Sequence, residues 1–98
     1  MYGTIARMRL KPGAEQTLQE LSRDFDAEQV PGSIGEYVFR MDANPDEYYL
    51  VVLFESKAAY VANAGSPEQH QRYLRMREML VSDPEWNDGE VVHTLMSR

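Results

Sequence analysis

The sequence predicts an α+β protein, a ferredoxin-like antiparallel sheet with helices on one face. The order of elements is strand, helix, strand, strand, two helices, strand, and short connections place consecutive helices on the same face. The stretch YYLVVLF at residues 48–54 carries no charge in either of its alternating sets. Because a strand shows one set to each face of its sheet, both faces must be covered. The helices of a 98-residue chain can cover one face, so we predict that a second copy covers the other, in a homodimer.

The first half of the chain predicts a strand, a helix and a hairpin. Residues 4–10 alternate imperfectly between apolar and other side chains, which fits an edge or half-buried strand. The helix ends before a Pro-Gly pair, and its apolar stripe is spaced by four, three and four residues: Ala14, Leu18, Leu21 and Phe25. Residues 33–41 form the second predicted strand. The turn formers at 42–46 join it to the 48–54 strand as an antiparallel hairpin.

The second half predicts two helices and a last strand. Ser56 is the expected N-cap of a short helix that ends near residue 63, where Ala-Gly breaks it. Ser66 is the expected N-cap of the next helix, because a proline follows at the first helical position and a glutamine at the capping-box position. This helix is predicted to run to about residue 81. A last strand is predicted over residues 90–96.

Composition excludes several classes of function. A net charge of −6 argues against binding to nucleic acid or to an anionic membrane, because such binding needs clustered Lys and Arg. The chain contains no cysteine, which removes disulfides and thiolate chemistry and suits a reducing compartment. No apolar run approaches the roughly 20 residues that span a bilayer, and no signal sequence is evident. We therefore predict a single domain over residues 1–98 and a cytoplasmic location.

Three features of the sequence resemble the antibiotic biosynthesis monooxygenase family. They are the order of elements, the doubly apolar third strand followed by FESKAAYVANAGSPEQHQRYLRMREML, and the segment DPEWNDGEVV before the last strand. The resemblance covers nearly the whole chain and implies a dimeric α+β barrel, with a pocket between the sheet and the helices of each subunit. The same fold serves cofactor-free oxygenation of quinols and polyketides, haem degradation and signalling, so it specifies the reaction less well than the fold.

The resemblance implies cofactor-independent monooxygenation of a small phenolic, quinol or polyketide-like aromatic molecule. The protein would supply a base or hydrogen-bond partner for the substrate hydroxyl and dry walls around it. Asn63 and Tyr73, ten residues apart, resemble a pair used by cofactor-free polyketide oxygenases of the family. His70 is the candidate base because imidazole exchanges a proton near neutral pH. The alternative is a histidine on the helix surface or the pocket rim that forms a hydrogen bond with a neighbouring residue. Asn63, His70 and Tyr73 are thus the predicted catalytic residues.

Three further residues are predicted to bind the substrate. Arg77 lies on the expected inward arc of the long helix and could hold a substrate anion, although such an arginine more often pairs with a carboxylate at the edge of the core. Tyr60 is expected to cap the pocket. Tyr37 is expected to line either the pocket or the dimer interface, and aromatic residues at strand spacing are more often core than site.

Neither a metal nor another cofactor is predicted. The two histidines lie in separate elements without a carboxylate at ligand spacing. Haem-degrading members of the family resemble one another through an asparagine in the first strand and a helical tryptophan and histidine; the first strand here has no asparagine and the single tryptophan lies in a late loop. The alternative to an oxygenase is a non-catalytic ligand-binding or structural dimer. Pro67 favours it, because the family's oxygenases resemble one another in having a tryptophan there.

Overall fold

The computed structural model describes residues 1–96, without the side chains of residues 26 and 27. It confirms the predicted α+β ferredoxin-like fold, with one antiparallel sheet in the strand order β2-β3-β1-β4. The elements are β1 (Tyr2–Arg9), α1 (Glu15–Glu28), β2 (Ser33–Arg40), β3 (Glu47–Phe54), α2 (Lys57–Ala64), α3 (Pro67–Glu78) and β4 (Asp88–Glu90). Within residues 1–96, no helix has the length and apolar character needed to cross a bilayer.

Both predicted serine caps are present. The Ser56 hydroxyl accepts a hydrogen bond from the backbone N–H of Ala59 at 3.1 Å, and the Ser66 hydroxyl accepts one from the backbone N–H of Gln69 at 3.1 Å. Such bonds satisfy N–H groups that have no partner in the first turn of a helix. Ser66 also donates to the Asn63 carbonyl at 2.8 Å. The tight turn between α2 and α3 therefore brings Asn63 beside the first turn of α3.

The core lies between the sheet and the helices. The inward set of β1 is buried, as the alternation of residues 4–10 predicts, while Ile5 on the other side is 52% exposed. The buried apolar residues come from β1, β3, α1 and the segment after α3: Ala6, Met8, Leu10, Leu18, Tyr48, Leu50, Phe54, Met79 and Leu80. Since the helices pack on this face, they leave the other face of the sheet open.

The open side of the sheet is apolar, and we call it the outer face: Ile5, Tyr37, Phe39, Tyr49, Val51 and Leu53. Strand register places Val51 between Ile5 and Tyr37, in a row across three strands. Tyr37 is 57% exposed. Arg7 shares this face and forms ion pairs with Glu47 and Glu85. The hydrogen bond from Arg7 to the Glu47 carboxylate lowers the pKa of Glu47. The described residues of this chain do not cover the outer face.

The end of the chain differs from the prediction. The last strand is confined to Asp88–Glu90, so the strand predicted over residues 90–96 is wrong beyond Glu90. Antiparallel pairing places Glu90 opposite Tyr2, the first residue of β1, and residues 91–96 extend past that end of the strand. Val92 and Leu95 are 91% and 85% exposed there. Helix α3 ends at Glu78 rather than near 81, because Leu80 turns into the core and bridges Leu10.

Candidate functional site

A cavity of about 490 Å³ lies between the inner face of the sheet and the three helices. Its volume falls within the roughly 300–1,000 Å³ typical of small-molecule sites. Most of its wall is apolar and comes from the sheet, from α1 and from the end of α3: Leu18, Leu21, Phe25, Leu50, Val52, Phe54, Met76 and Met79. The polar side chains come mainly from α2 and α3, where the caps fix their positions. The cavity can thus hold a flat apolar molecule against a few polar groups.

Four of the six residues predicted for the site line this cavity. Asn63 is at the end of α2, Tyr60 is one turn earlier, and His70 and Tyr73 are on α3. The Tyr73 ring lies 6.4 Å from the Trp86 ring, centre to centre, and Trp86 also lines the cavity. His70 is an exposed residue that reaches the cavity from its rim. Their common location depends on the short connection between α2 and α3.

Arg77 and Tyr37 are not brought to the cavity. Arg77 donates from Nε to Asp83 at 2.7 Å and from a terminal nitrogen to the Leu80 carbonyl at 3.0 Å. This is the carboxylate pairing that the sequence offered as the alternative for Arg77. Tyr37 lies on the outer face, with the sheet between its side chain and the cavity. Of the two locations expected for Tyr37, the pocket and the dimer interface, this placement excludes the pocket.

A polar network on the cavity wall was missed in the sequence. Arg72 donates to the side-chain oxygens of Asn63 and Gln69, each at 3.1 Å, and forms an ion pair with Glu28. Asn63 Nδ2 donates to the Gln69 side-chain oxygen at 3.3 Å. The network joins α1, α2 and α3. Helical spacing was the available signal, because Gln69 and Arg72 are three residues apart on the arc that contains Tyr73.

A second polar group of the wall joins α2 to the strands. The Tyr60 hydroxyl donates to Asp88 Oδ1 at 2.8 Å, and the ring packs edge-on against Tyr2 and Phe54. Burial raises the pKa of Tyr60 to about 12, and the Asp88 carboxylate acts in the same direction while Thr4 opposes it. The Thr4 hydroxyl is buried without a hydrogen-bond partner of ordinary geometry. Tyr60 is therefore held as a neutral phenol in the wall.

Tyr60→Phe is expected to change how stability depends on pH. The pKa of an unfolded tyrosine is about 10, and it is raised to about 12 in the fold, so the stabilisation is fully present below about pH 10 and is lost as the pH rises through about 12. Because the ring is partly exposed, we expect about 1 kcal/mol or less. Urea unfolding of both proteins across this range measures it. A difference between them that stays constant with pH would contradict the assignment.

Among the side chains that the structure describes, no group of three or more His, Cys, Asp or Glu is arranged to hold a metal ion. The candidate site therefore consists of hydrogen-bonding side chains set into an apolar cavity. Asn63, Gln69 and Arg72 of the helical network are among its polar groups. The others include Thr4, Ser22, Glu36, Tyr60, His70, Tyr73 and Asp88. Such a site can orient a small aromatic molecule and exchange a proton with it.

The fold and the cavity define an α+β domain with a ligand-sized site between sheet and helices. The chain belongs to the antibiotic biosynthesis monooxygenase family, whose model matches residues 1–74. This confirms the resemblance seen in the sequence. The matched residues include all those of the cavity lining from Thr4 to Tyr73, among them Asn63 and His70. No curated protein matches the chain.

Solved structures of the family share the fold at low sequence identity. SnoaB, a cofactor-independent oxygenase from Streptomyces nogalater, superposes with a TM-score of 0.81 and 14% identity, over 98% of this chain and 97% of that chain. A candidate antibiotic biosynthesis monooxygenase from Caulobacter crescentus gives 0.79 and 17%, over 94% and 90%. Another from Bordetella bronchiseptica gives 0.78 and 19%, over 94% and 97%. At these identities the likeness establishes the fold alone.

Proposed function

We propose that this protein is a cofactor-independent monooxygenase that acts on a small phenolic, quinol or polyketide-like aromatic molecule. One observation carries the proposal: Asn63, His70 and Tyr73 line a single cavity of about 490 Å³ whose other walls are largely apolar. Apolar walls suit an aromatic ring and limit the contact of a reactive intermediate with water. Family membership and the structural likeness to SnoaB, a cofactor-independent oxygenase, support the same reaction class.

The reaction balances without an external reductant. A phenolic substrate with a methylene carbon conjugated to its ring loses a proton, and the resulting anion gives electrons to O₂. A C–O bond then forms at that carbon to give a hydroperoxide. Loss of water from the hydroperoxide leaves a carbonyl group, so one oxygen atom enters the product and the other leaves as water. The substrate supplies all four electrons that reduce O₂, and the protein has to move protons and orient the reactants.

The three residues have complementary roles in this proposal. His70 accepts the proton from the substrate, since its ring forms no hydrogen bond within the described part of the chain. The Tyr73 hydroxyl is likewise without a protein partner among residues 1–96, so it can bind the substrate or the hydroperoxide. Asn63 is held by Gln69 and Arg72 and can donate one N–H to an oxygen atom in the cavity. Tyr60 closes one side of the site.

The second candidate is a non-catalytic dimer that binds a small aromatic ligand. The specific observation in its favour is that Asn63 is already hydrogen-bonded to two protein side chains. In that case the cavity would bind its ligand without any consumption of oxygen. The oxygen measurement below separates the two functions.

We infer that the active form is a homodimer. The outer face of the sheet is apolar and its Ile5, Tyr37 and Phe39 are each about half exposed. A second copy is the natural cover, because a two-fold axis pairs an apolar face with itself and leaves no charge unmatched. Arg7 and Arg9, which β1 places on this face, are already paired with carboxylates.

Oxygen uptake is the direct test of the monooxygenase. Metal-stripped protein is mixed with a panel of hydroquinones and anthrone-like phenols, and O₂ consumption is followed with an electrode. We expect His70→Ala to lower the rate by about 100-fold or more, because general acid–base catalysis contributes about 10²–10⁴. Tyr73→Phe is expected to lower it about tenfold through the loss of one hydrogen bond to a charged intermediate.

Two matched variants serve as controls. His93→Ala removes the other histidine of the chain, which lies in the segment after β4, and Tyr49→Phe removes a hydroxyl from the outer face. Neither residue lines the cavity, so both variants are expected to keep the wild-type rate at concentrations where they sediment as the wild type does. The absence of enzyme-dependent uptake with every substrate would overturn the oxygenase proposal and favour the binding dimer. Equal rates in all four variants would overturn the roles given to His70 and Tyr73.

A further inference from the structure

We propose that Arg72 is a positioning residue that fixes the side-chain amides of Asn63 and Gln69 so that they offer only N–H donors to the cavity. The three residues form what we call the donor wall. This wall would select an aromatic ligand that presents an oxyanion, a phenolate or an enolate, rather than a neutral hydroxyl. The inference rests on the proposed function for the identity of the site and adds the residue that sets its polarity.

Arg72 is the most enclosed part of the network. Its side chain is 10% exposed, it is ion-paired with Glu28 of α1, and its guanidinium lies over the Phe25 ring at 5.5 Å. Two of its nitrogens donate to α2 and to α3, through Asn63 and Gln69. A planar guanidinium held by an ion pair and a ring has little freedom to turn. It therefore acts as a fixed template for the groups that it binds.

A guanidinium can only donate, and this determines how both amides point. The side-chain oxygens of Asn63 and Gln69 must face Arg72, because the opposite orientation would bring N–H groups against its donors. Asn63 Nδ2 uses one hydrogen on the Gln69 oxygen and keeps the other. Gln69 Nε2 donates to no acceptor among the groups that the structure describes. The wall consequently presents donors, which complement an oxygen atom with negative charge.

The other charges around the cavity favour the same position for an oxyanion. Asp88 is a carboxylate of the lining and opposes a second negative charge near it. His70 lies on α3, one residue after Gln69 of the donor wall. Because Glu28 balances the charge of Arg72, the selectivity arises mainly from the direction of the N–H groups.

Arg72→Met is expected to abolish the preference for the ionised ligand. The probe is 4-nitrophenol, whose phenolate absorbs visible light, titrated with pH in the presence of saturating protein. In the wild type we expect the pKa of the bound phenol to fall by about one unit, which is about a tenfold preference for the phenolate. In Arg72→Met the pKa should return to that of the free phenol. Oxygen uptake by the same proteins is measured with the panel of hydroquinones and anthrone-like phenols, because 4-nitrophenol has no methylene carbon to oxygenate.

Arg75→Met is the matched control. Arg75 lies on the same helix and also pairs with a carboxylate of α1, Asp24, at 3.2 Å, but both side chains are about half exposed and Arg75 does not line the cavity. It should keep the wild-type pKa of the bound phenol. Arg72→Lys retains the positive charge but lacks the planar guanidinium with its several N–H donors. We expect the pKa of the phenol bound to Arg72→Lys to resemble that in Arg72→Met. If Arg72→Met does not fold, Asn63→Asp provides the test, because it replaces a donor with a carboxylate and should raise the pKa of the bound phenol.

The outcomes separate this inference from the proposed function. A wild-type protein that fails to bind 4-nitrophenol, or that prefers its neutral form, overturns the donor wall. Equal pKa values in the Arg72→Met and Arg75→Met complexes overturn the role of Arg72. A lowered pKa that depends on Arg72, without oxygen uptake, supports the donor wall and contradicts the monooxygenase.

Discussion

Ile5→Lys is expected to convert the protein from a dimer to a monomer. Ile5 is 52% exposed on β1 and stands next to Val51 in the centre of the outer face. In a dimer the change would bury two like charges without partners, at a cost of several kcal/mol. Since about 1.4 kcal/mol is a tenfold change in affinity, dimerisation should weaken by more than about 100-fold. Sedimentation velocity at micromolar concentrations measures the change.

Val61→Lys separates the effect of the interface from that of the added charge. Val61 is 56% exposed on α2, on the helical side of the molecule, and the substitution is the same in charge and size. This variant should sediment as the wild type does. A wild-type protein that is monomeric at these concentrations, or an Ile5→Lys protein that still dimerises fully, would contradict the proposed cover of the outer face.

Local patterns account for what the sequence predicted of the fold. Ser56 and Ser66 cap their helices through contacts three residues away, so the cap motifs alone were informative. The two apolar sets of residues 48–54 were also sufficient to predict a sheet with two faces to cover. The prediction for the last strand was wrong beyond Glu90 because β4 can pair only as far as β1 extends, and Glu90 is already opposite the first residue of β1. Alternation of apolar residues indicates a strand but does not show which strand it pairs with.

The candidate site was predictable in part, for a similar reason. Asn63 and Tyr73 were predicted from their resemblance to a residue pair of the family's oxygenases and His70 from the chemistry of imidazole, and all three line the cavity. Arg72 was missed because its burial depends on Glu28, which is 44 residues away in sequence. Arg77 was placed on the inward arc, yet Asp83 in the following loop holds it away from the cavity. The position of a charged side chain depends on the residue with which it forms an ion pair, and the periodicity of the sequence does not identify that residue.

Phe54→Ala is expected to destabilise the protein strongly. Phe54 is fully buried at the end of β3, packs against the Tyr60 ring at 5.7 Å and forms part of the cavity wall. Removal of a buried phenylalanine ring costs about 3–5 kcal/mol, a large part of the roughly 5–15 kcal/mol of a typical domain. For a chain of this length we expect the Tm to fall by about 12 °C or more. Thermal unfolding at a fixed protomer concentration measures this, because dimerisation makes Tm depend on concentration.

Leu74→Ala and Phe54→Leu distinguish burial from other effects at this position. Leu74 is 43% exposed on α3, so its truncation should cost much less than that of Phe54. Phe54→Leu keeps most of the apolar volume and should lie between the two. If Phe54→Ala costs no more than Leu74→Ala, the end of β3 is not packed as described. Because the Phe54 ring also positions Tyr60 and hence Asp88, loss of stability should be accompanied by loss of the pH dependence assigned to Tyr60.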